Sequence, residues 1–329
     1  MPKRRVEDEL LQLGLLRHPD KSDAQVAAAL QKALRDPVNA MAAKAADVAA
    51  HRKMVQLIPD MLLSYDRLFR DPVKRDPQCV GKNAIAKALK DLAYGESAPF
   101  LRGLRHVQME PVWGGEQDSA AALRGTCAVA LVNCLDIPVD AILVELVDAI
   151  TDSVARVRED AVKAVVQLGA RESNLLLRLK ARVGDEDPAI TGLALEGILR
   201  LEGESAIQFV GRFLEAQIEE VRDQAALALG ASRLPGAIEL LREQWHNKIR
   251  SLSDYGILNG LSLSRLESAL EFLLGIIRNG RMREAIDAMK VLDIHRGSPD
   301  IVERVAAAVR DRPEPEIQVQ FEREFLRVT

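Results

Sequence analysis

Apolar residues recur along most of this chain at intervals of three and four, the period of one face of an α-helix. Two stretches share more than that period. "VREDAVKAVVQLG" (157–169) and "VRDQAALALG" (221–230) both open on Val-Arg, place Ala four residues after the Val, and end on Leu-Gly. Ala161 and Ala225 are thus in one phase. Ala194 in "ITGLALEGILRLEG" (190–203), Cys127 in "LRGTCAVALVNC" (123–134), Ala84 in "VGKNAIAKAL" (80–89) and Ala45 in "MAAKAADVAA" (41–50) share it. From Ala45 onward the steps are 39, 43, 34, 33 and 31 residues. A second helical segment precedes several of these, as in "VDAILVELVDAI" (139–150), "SNLLLRLKARV" (173–183) and "SAIQFVGRFL" (205–214). Each unit reads as helix, short turn, helix. Small in-phase residues let the helices approach closely. Neither helix buries its apolar stripe alone, so the units must stack.

This pattern resembles HEAT repeats, particularly the bacterial HEAT-like type also found in phycobilisome lyases. The detail that carries the resemblance is an Asp six residues before an Arg: Asp118 before Arg124, and Asp152 before Arg158. In HEAT repeats such a pair resembles a ladder, the Asp capping the second helix of its unit and the Arg bonding between neighbours. Capping also follows from the preference of Asp for helix N-termini. Arg222 departs from the pattern, with Ala216 six residues before it, and Asp185 is followed at that spacing by Thr191. The resemblance implies an all-α fold: a right-handed α-α superhelix of about seven helix pairs, forming one solenoid over 1–329. Residues 1–21 make an N-terminal helix or arm, 22–248 the clear repeats, and 249–329 irregular helices and a cap.

The irregular stretches carry their own signals. Ser22 with Gln25, and Ser264 with Glu267, read as capping boxes. Pro59 predicts a kink or break near Ile58 in the helical stretch 51–71. Gly256 and Gly260 make 253–263 a poor helix. Ser298 and Pro299 read as N-cap and first helical residue. Ile317, Phe321 and Phe325, spaced by four, form a stripe suited to closing the end of a stack. "MEPVWGGEQDS" (109–119) has no helical period and falls where the repeat step swells to 43. It reads as an inserted inter-helix loop, with Asp118 as the N-cap of the next helix. Its Trp113 is either packed on the stack or held out as a contact.

Composition narrows the function classes. Aromatics are 4% of residues, which suits helices built from Leu, Ala and Val better than a β-sandwich. Net charge is −4 with a sequence pI near 5.9, so no global charge drives the chain toward nucleic acid or acidic membranes. Charge is uneven: 51–110 carries 11 basic and 7 acidic residues, and 140–223 carries 10 and 17. No run has the roughly 18–20 apolar residues of a membrane span, and no apolar core of a signal peptide follows Lys3, Arg4 and Arg5. Three cysteines, an odd number, suit a reducing cytoplasm. Cys127 and Cys134 on one helix would lie about 10 Å apart, beyond disulfide reach.

Catalytic chemistry is not visible. None of the five histidines is followed by Glu, so the His-Glu pairs that hold di-iron in deoxyhypusine hydroxylases have no counterpart. CxxC, HExxH, GxSxG and P-loop patterns are missing from the chain. No catalytic, cofactor-binding or metal-binding residue is assigned. The resemblance implies a cytoplasmic, non-catalytic module for protein–protein interaction or scaffolding, with an unknown protein partner, no cofactor and no membrane. Trp113, Arg102, Arg105 and His106 are the candidate partner-binding residues. Asp118, Arg124, Asp152 and Arg158 form the structural ladder. An alternative resemblance is to HEAT-like DNA alkyl-base glycosylases, through a local basic cluster of Lys82, Lys87, Lys90, Arg102 and Arg105. The acidic middle of the chain disfavours that nucleic-acid reading, because phosphate binding needs cations along the whole groove. A phycobilin lyase-like role is a third reading, with no bilin pocket in evidence.

Overall fold

The computed structural model describes residues 6–18, 20–247, 255–310 and 312–326. The basic run 3–5, Ser253 and Asp254 at the start of the glycine-bearing stretch, and the last residues of the tail lie outside the described residues. The chain divides into two compact units, 1–173 and 174–329.

In the first unit, α1 (Val6–Leu15) leads into four helix pairs. They are α2 (Asp23–Leu34) with α3 (Asn39–His51), and α4 (Ile58–Leu68) with α6 (Val80–Asp91), joined by the single turn α5 (Pro72–Arg75). Next come α7 (Ala98–Leu104) with α8 (Ala121–Leu131), and α9 (Val139–Ile150) with α10 (Ala155–Leu168). The second helices pack on one another in sequence, α3 on α6 on α8 on α10, and form an inner row. The repeat phase falls on this row: Ala45, Cys127 and Ala161 are all fully buried, while Ala84 is half-buried. Pro59 sits in the first turn of α4, and the break before it comes at 52–57, where Lys53 is left-handed.

The second unit continues the plan. α11 (Arg171–Val183), within which the unit boundary falls, precedes α12 (Pro188–Glu202). Then follow α13 (Ile207–Gly211) with α14 (Glu219–Ser232), α15 (Pro235–Asn247) with α16 (Tyr255–Ser264), α17 (Glu267–Asn279) with α18 (Met282–Leu292), and α19 (Pro299–Val309) with α20 (Pro315–Phe321). Here α12, α14, α16, α18 and α20 pack in sequence, and Ala194, Ala225 and Ala285 are fully buried. The fold is all-α, helix pairs stacked as in an α-solenoid, with one small β-ribbon. Among the described residues no helix is long and apolar enough to cross a membrane.

Local expectations met tertiary packing with mixed results. Gly256 and Gly260 do not weaken a helix here; they lie in α16, which is almost entirely buried. A Cβ on Gly260 would meet the Ala226 carbonyl at 2.3 Å, and one on Gly230 would meet the Gly260 carbonyl at 1.9 Å. Two glycines thus bring α14 and α16 into backbone contact, and that packing outweighs the weak intrinsic helix propensity. The capping boxes do not form. Ser22 stands at the N-cap of α2 without a side-chain cap bond. Ser264 ends α16, Leu266 is the N-cap of α17, and Glu267 pairs with Arg304. Ser298 and Pro299 do open α19. In the tail, Ile317 and Phe321 are buried, and Phe325 stacks on Phe321 at 5.5 Å, as α20 docks on α18 and α19.

Candidate functional site

The inserted segment is a β-hairpin rather than a loop. β1 (Met109–Val112) pairs antiparallel with β2 (Gly115–Asp118), Val112 opposite Gly115 and Met109 opposite Asp118. A two-residue turn of Trp113 and Gly114 joins them, and Gly114 at φ +93° supplies the left-handed backbone that the turn requires. Trp113 is wholly exposed, at 102% of its reference area, with Val107, Met109 and Val112 also exposed. The indole therefore touches nothing in the fold. Trp113 is held out from the stack and stands apart from the other candidate contact residues.

The base of this ribbon is fastened firmly. The Gln108 side chain donates to the Asp76 carbonyl (2.8 Å) and to Glu110 Oε1 (2.6 Å). Glu110 Oε1 also accepts from the Ser119 hydroxyl (2.6 Å) and from the Gln78 backbone N–H (2.7 Å). Ser119 N–H closes onto the Gln108 carbonyl (2.9 Å). Asp118 Oδ1 accepts from the N–H groups of Gln108 and Ala120, both at 3.0 Å. Asp118 is thus not the N-cap of α8, a position held by Ala120; it closes the turn two residues earlier. Asp152 does the same ahead of α10, accepting from Val154 N–H at 2.8 Å. Burial pushes the Asp118 carboxyl up, but the Gln108 N–H, Arg124 and the Ala120 N–H outweigh it and hold it below the usual range. Glu110 is held low in the same way: desolvation opposes, and Ser119, Gln108 and Gln78 prevail.

Arg124 ties this base to the next pair of helices. It is nearly buried; its Nη1 donates to Asp118 Oδ2 and to the His106 carbonyl (3.0 Å). Its Nε and Nη2 clamp both oxygens of Asp152 at 2.7 and 3.0 Å. One guanidinium thereby links the aspartates of consecutive pairs in a bidentate geometry. Arg158 Nη1 reaches back to the carbonyls of Asp152 (2.9 Å) and Ser153 (3.2 Å). Arg222 repeats this on Ala216 (2.8 Å) and Gln217 (3.1 Å). Arg158 and Arg222 thus both bind the turn carbonyls before their own helices, a contact that needs no Asp. That explains how Arg222 fits a unit whose Asp is missing.

The basic cluster drawn from the sequence does not form. Lys82 has no exposed surface and pairs with the equally buried Asp76, Nζ to Oδ2 at 3.1 Å. Arg102 donates to Asp66 (2.6 Å) and lies over the Phe69 ring at 4.0 Å. Arg105 forks onto Glu145 of α9, and Lys90 pairs with Asp91. His106 meets the edge of the same Phe69 at 4.8 Å, and its Nε2 faces Gln108 Oε1 at 3.1 Å. Burial lowers its pKa below the ordinary value. Arg102 and His106 are thus gathered around Phe69, whereas Arg105 turns away toward α9. The three thiols are buried: desolvation pushes Cys79 up to about 12 and Cys134 to about 11, and raises Cys127 as well. They pack as apolar groups.

Sequence reasoning missed the loop 71–79 that anchors the ribbon. Its two Asp-Pro steps, Asp71-Pro72 and Asp76-Pro77, were the available signal. Gln78 and Cys79 are consecutive non-glycine residues in the left-handed region, with φ of 60° and 55°, a conformation costing on the order of 1–3 kcal/mol per residue. Asp76 holds them there. Its Oδ1 accepts from Gly81 N–H (2.7 Å) and the Asn39 amide (2.8 Å), and its Oδ2 from Lys82 N–H (2.9 Å). Beside this loop, α3, α6 and α8 border a groove of about 560 Å³ lined by polar residues of both signs, among them Asp47, His51, Lys87 and Asp91.

Residues 175–252 match the family model for HEAT repeats. None of the curated proteins matches the chain. Among solved structures, YibA of Escherichia coli is 14% identical, with TM-score 0.45, over 89% of this chain and 99% of its own. The CpcE–CpcF complex of phycocyanin lyase from a Nostoc species is 19% identical, with TM-score 0.37, over 76% of this chain and 93% of that one. Human deoxyhypusine hydroxylase, in complex with glycerol, is 16% identical, with TM-score 0.30, over 80% and 92%. The family match identifies HEAT repeats within residues 175–252.

Proposed function

We propose that the chain is a non-catalytic binding module whose first unit presents Trp113 to a protein partner. One observation supports this reading above the rest: a fully exposed tryptophan stands at the tip of a ribbon whose base is fastened by a network of hydrogen bonds, the one from Gln108 to the Asp76 carbonyl among them buried. An isolated two-stranded ribbon is marginal in water, so the anchoring network is what keeps the tip in place. A pre-positioned aromatic loses little conformational entropy on binding and offers roughly 150–250 Å² of contact area. Tryptophan is also among the residues that dominate interface energetics.

The test is comparative affinity capture with wild type and Trp113→Ala. The variant keeps the wild-type melting temperature, because the indole has no packing to lose, and it fails to retain a protein that wild type retains. Identical retained proteins from both columns would refute the reading.

A further inference from the structure

The pairing register makes the ribbon one-sided. Ser119 N–H bonds to the Gln108 carbonyl, so that pair is a hydrogen-bonded one. Pairs alternate from there: Met109 with Asp118 is non-bonded, Glu110 with Gln117 bonded, and Pro111 with Glu116 non-bonded. Backbone groups of non-bonded pairs point outward, to the free edges of the ribbon. On the β1 edge those positions are Met109 at the base and Pro111 nearer the tip, and Pro111 has no N–H to offer. On the β2 edge they are Asp118 at the base and Glu116 nearer the tip, and the register points the Glu116 N–H outward. Toward the tip, β1 is thus a blocked edge and β2 an open one.

The charged residues of the ribbon itself have one sign. Residues 107–123 contain Glu110, Glu116 and Asp118 and no Lys, Arg or His. The Asp118 carboxylate is engaged by Arg124 and Glu110 by the anchoring network, which leaves Glu116 as an exposed carboxylate on the open strand. Trp113 follows at the tip with both ring faces in solvent. We propose, building on the binding role above, that β2 takes an extended, cationic peptide segment of the partner as a third strand, with a Lys or Arg of that segment over the Trp113 ring. Main-chain bonds to Glu116 provide the docking, its carboxylate selects for cations, and the indole adds a cation–π contact.

The experiment uses the full chain with Trp245→Phe, so that Trp113 is the sole indole. Its fluorescence is titrated with a capped octapeptide alternating lysine and valine, and with the glutamate–valine counterpart. The lysine peptide is expected to change Trp113 emission saturably and the glutamate peptide to leave it unchanged. Glu116→Pro places the Pro111 block on the second edge and lowers lysine-peptide affinity by about tenfold or more, on the scale of one lost hydrogen bond together with the lost carboxylate. Amide exchange at Gln117, which bonds inside the ribbon, verifies that the hairpin survives the proline. Glu116→Gln keeps the N–H and tests the charge alone, with a smaller loss. No response to the lysine peptide, an equal response to the glutamate peptide, or unchanged affinity in Glu116→Pro with Gln117 still protected would each overturn strand addition. Capture lost in Trp113→Ala yet retained in Glu116→Pro would separate failure of this inference from failure of the binding role.

Discussion

The buried pair of Asp76 and Lys82 makes a prediction whose asymmetry can be worked out bond by bond. Asp76 does not depend on Lys82 alone. Its two oxygens accept from Gly81 N–H, Lys82 N–H and the Asn39 amide at 2.7–2.9 Å, besides Lys82 Nζ at 3.1 Å. The ammonium has far less: Asp76, and the Leu68 carbonyl at 3.5 Å, with the Phe69 ring centre 5.4 Å away. Replacing Lys82 with Met keeps the volume and leaves the carboxylate three N–H donors, so the cost is about 1–2 kcal/mol. Replacing Asp76 with Asn is nearly isosteric, yet it strands a buried ammonium and turns an amide N–H toward other donors. Losing the partner of a buried charge costs about 3–5 kcal/mol. Asp76 also holds the left-handed pair Gln78–Cys79, so its loss removes what offsets that strain. Urea denaturation of both variants, followed by far-UV circular dichroism and by amide exchange in α6, measures the two losses. The expected order is Asp76→Asn well below Lys82→Met below wild type. A Lys82→Met loss equal to or larger than that of Asp76→Asn would refute the account, because it would mean that the ammonium rather than the hydrogen-bonded carboxylate organises the loop.

Two further outcomes follow from the packing and the charges. Gly260→Ala drives a Cβ to 2.3 Å from the Ala226 carbonyl, backbone against backbone, so α14 and α16 must separate; thermal unfolding should show a loss of about 1–3 kcal/mol despite the better helix propensity of Ala. Gly275→Ala in α17 meets nothing within 4 Å and should be neutral or slightly stabilising in the same assay; equal losses at both sites would sink the close-approach argument. At the ribbon base, Asp118 and Glu110 both have folded pKa values below their ordinary ones. A depressed carboxyl pKa stabilises the folded base above the unfolded value, and that contribution disappears as pH falls through the folded one. The protection of the Gln108 and Ser119 amides, relative to their intrinsic exchange rates at each pH, should therefore fall below about pH 4, and Asp118→Asn should flatten the dependence; protection that does not change with acidification would argue against it.

The helix pairs, their order and the buried phase of the inner row were legible in the one-dimensional pattern. A solenoid is built from near-neighbour contacts, and each unit writes its own apolar stripe into a short stretch of chain. The positions of Ala45, Cys127, Ala161, Ala194 and Ala225 needed no long-range information, and neither did the break at Pro59. What escaped were features decided between segments. Gly256 and Gly260 look like helix breakers until the backbone of α14 lies against them. Lys82 reads as one of a surface cluster until Asp76, six residues earlier and across a strained turn, encloses it. Ser22 and Ser264 have cap-like spacing, but spacing alone does not orient a hydroxyl.

The segment 109–119 shows the division most clearly. From sequence alone it was certain that the repeat is interrupted there and that Trp113 and Gly114 lie outside any helix. Whether the indole packs inward or stands in solvent depended on Gln108, Glu110, Gln78 and Asp76 meeting across more than thirty residues of chain. Periodicity records which face of an element is apolar. It does not record which buried polar groups will find one another, and that meeting set the ribbon upright and left Trp113 at its tip.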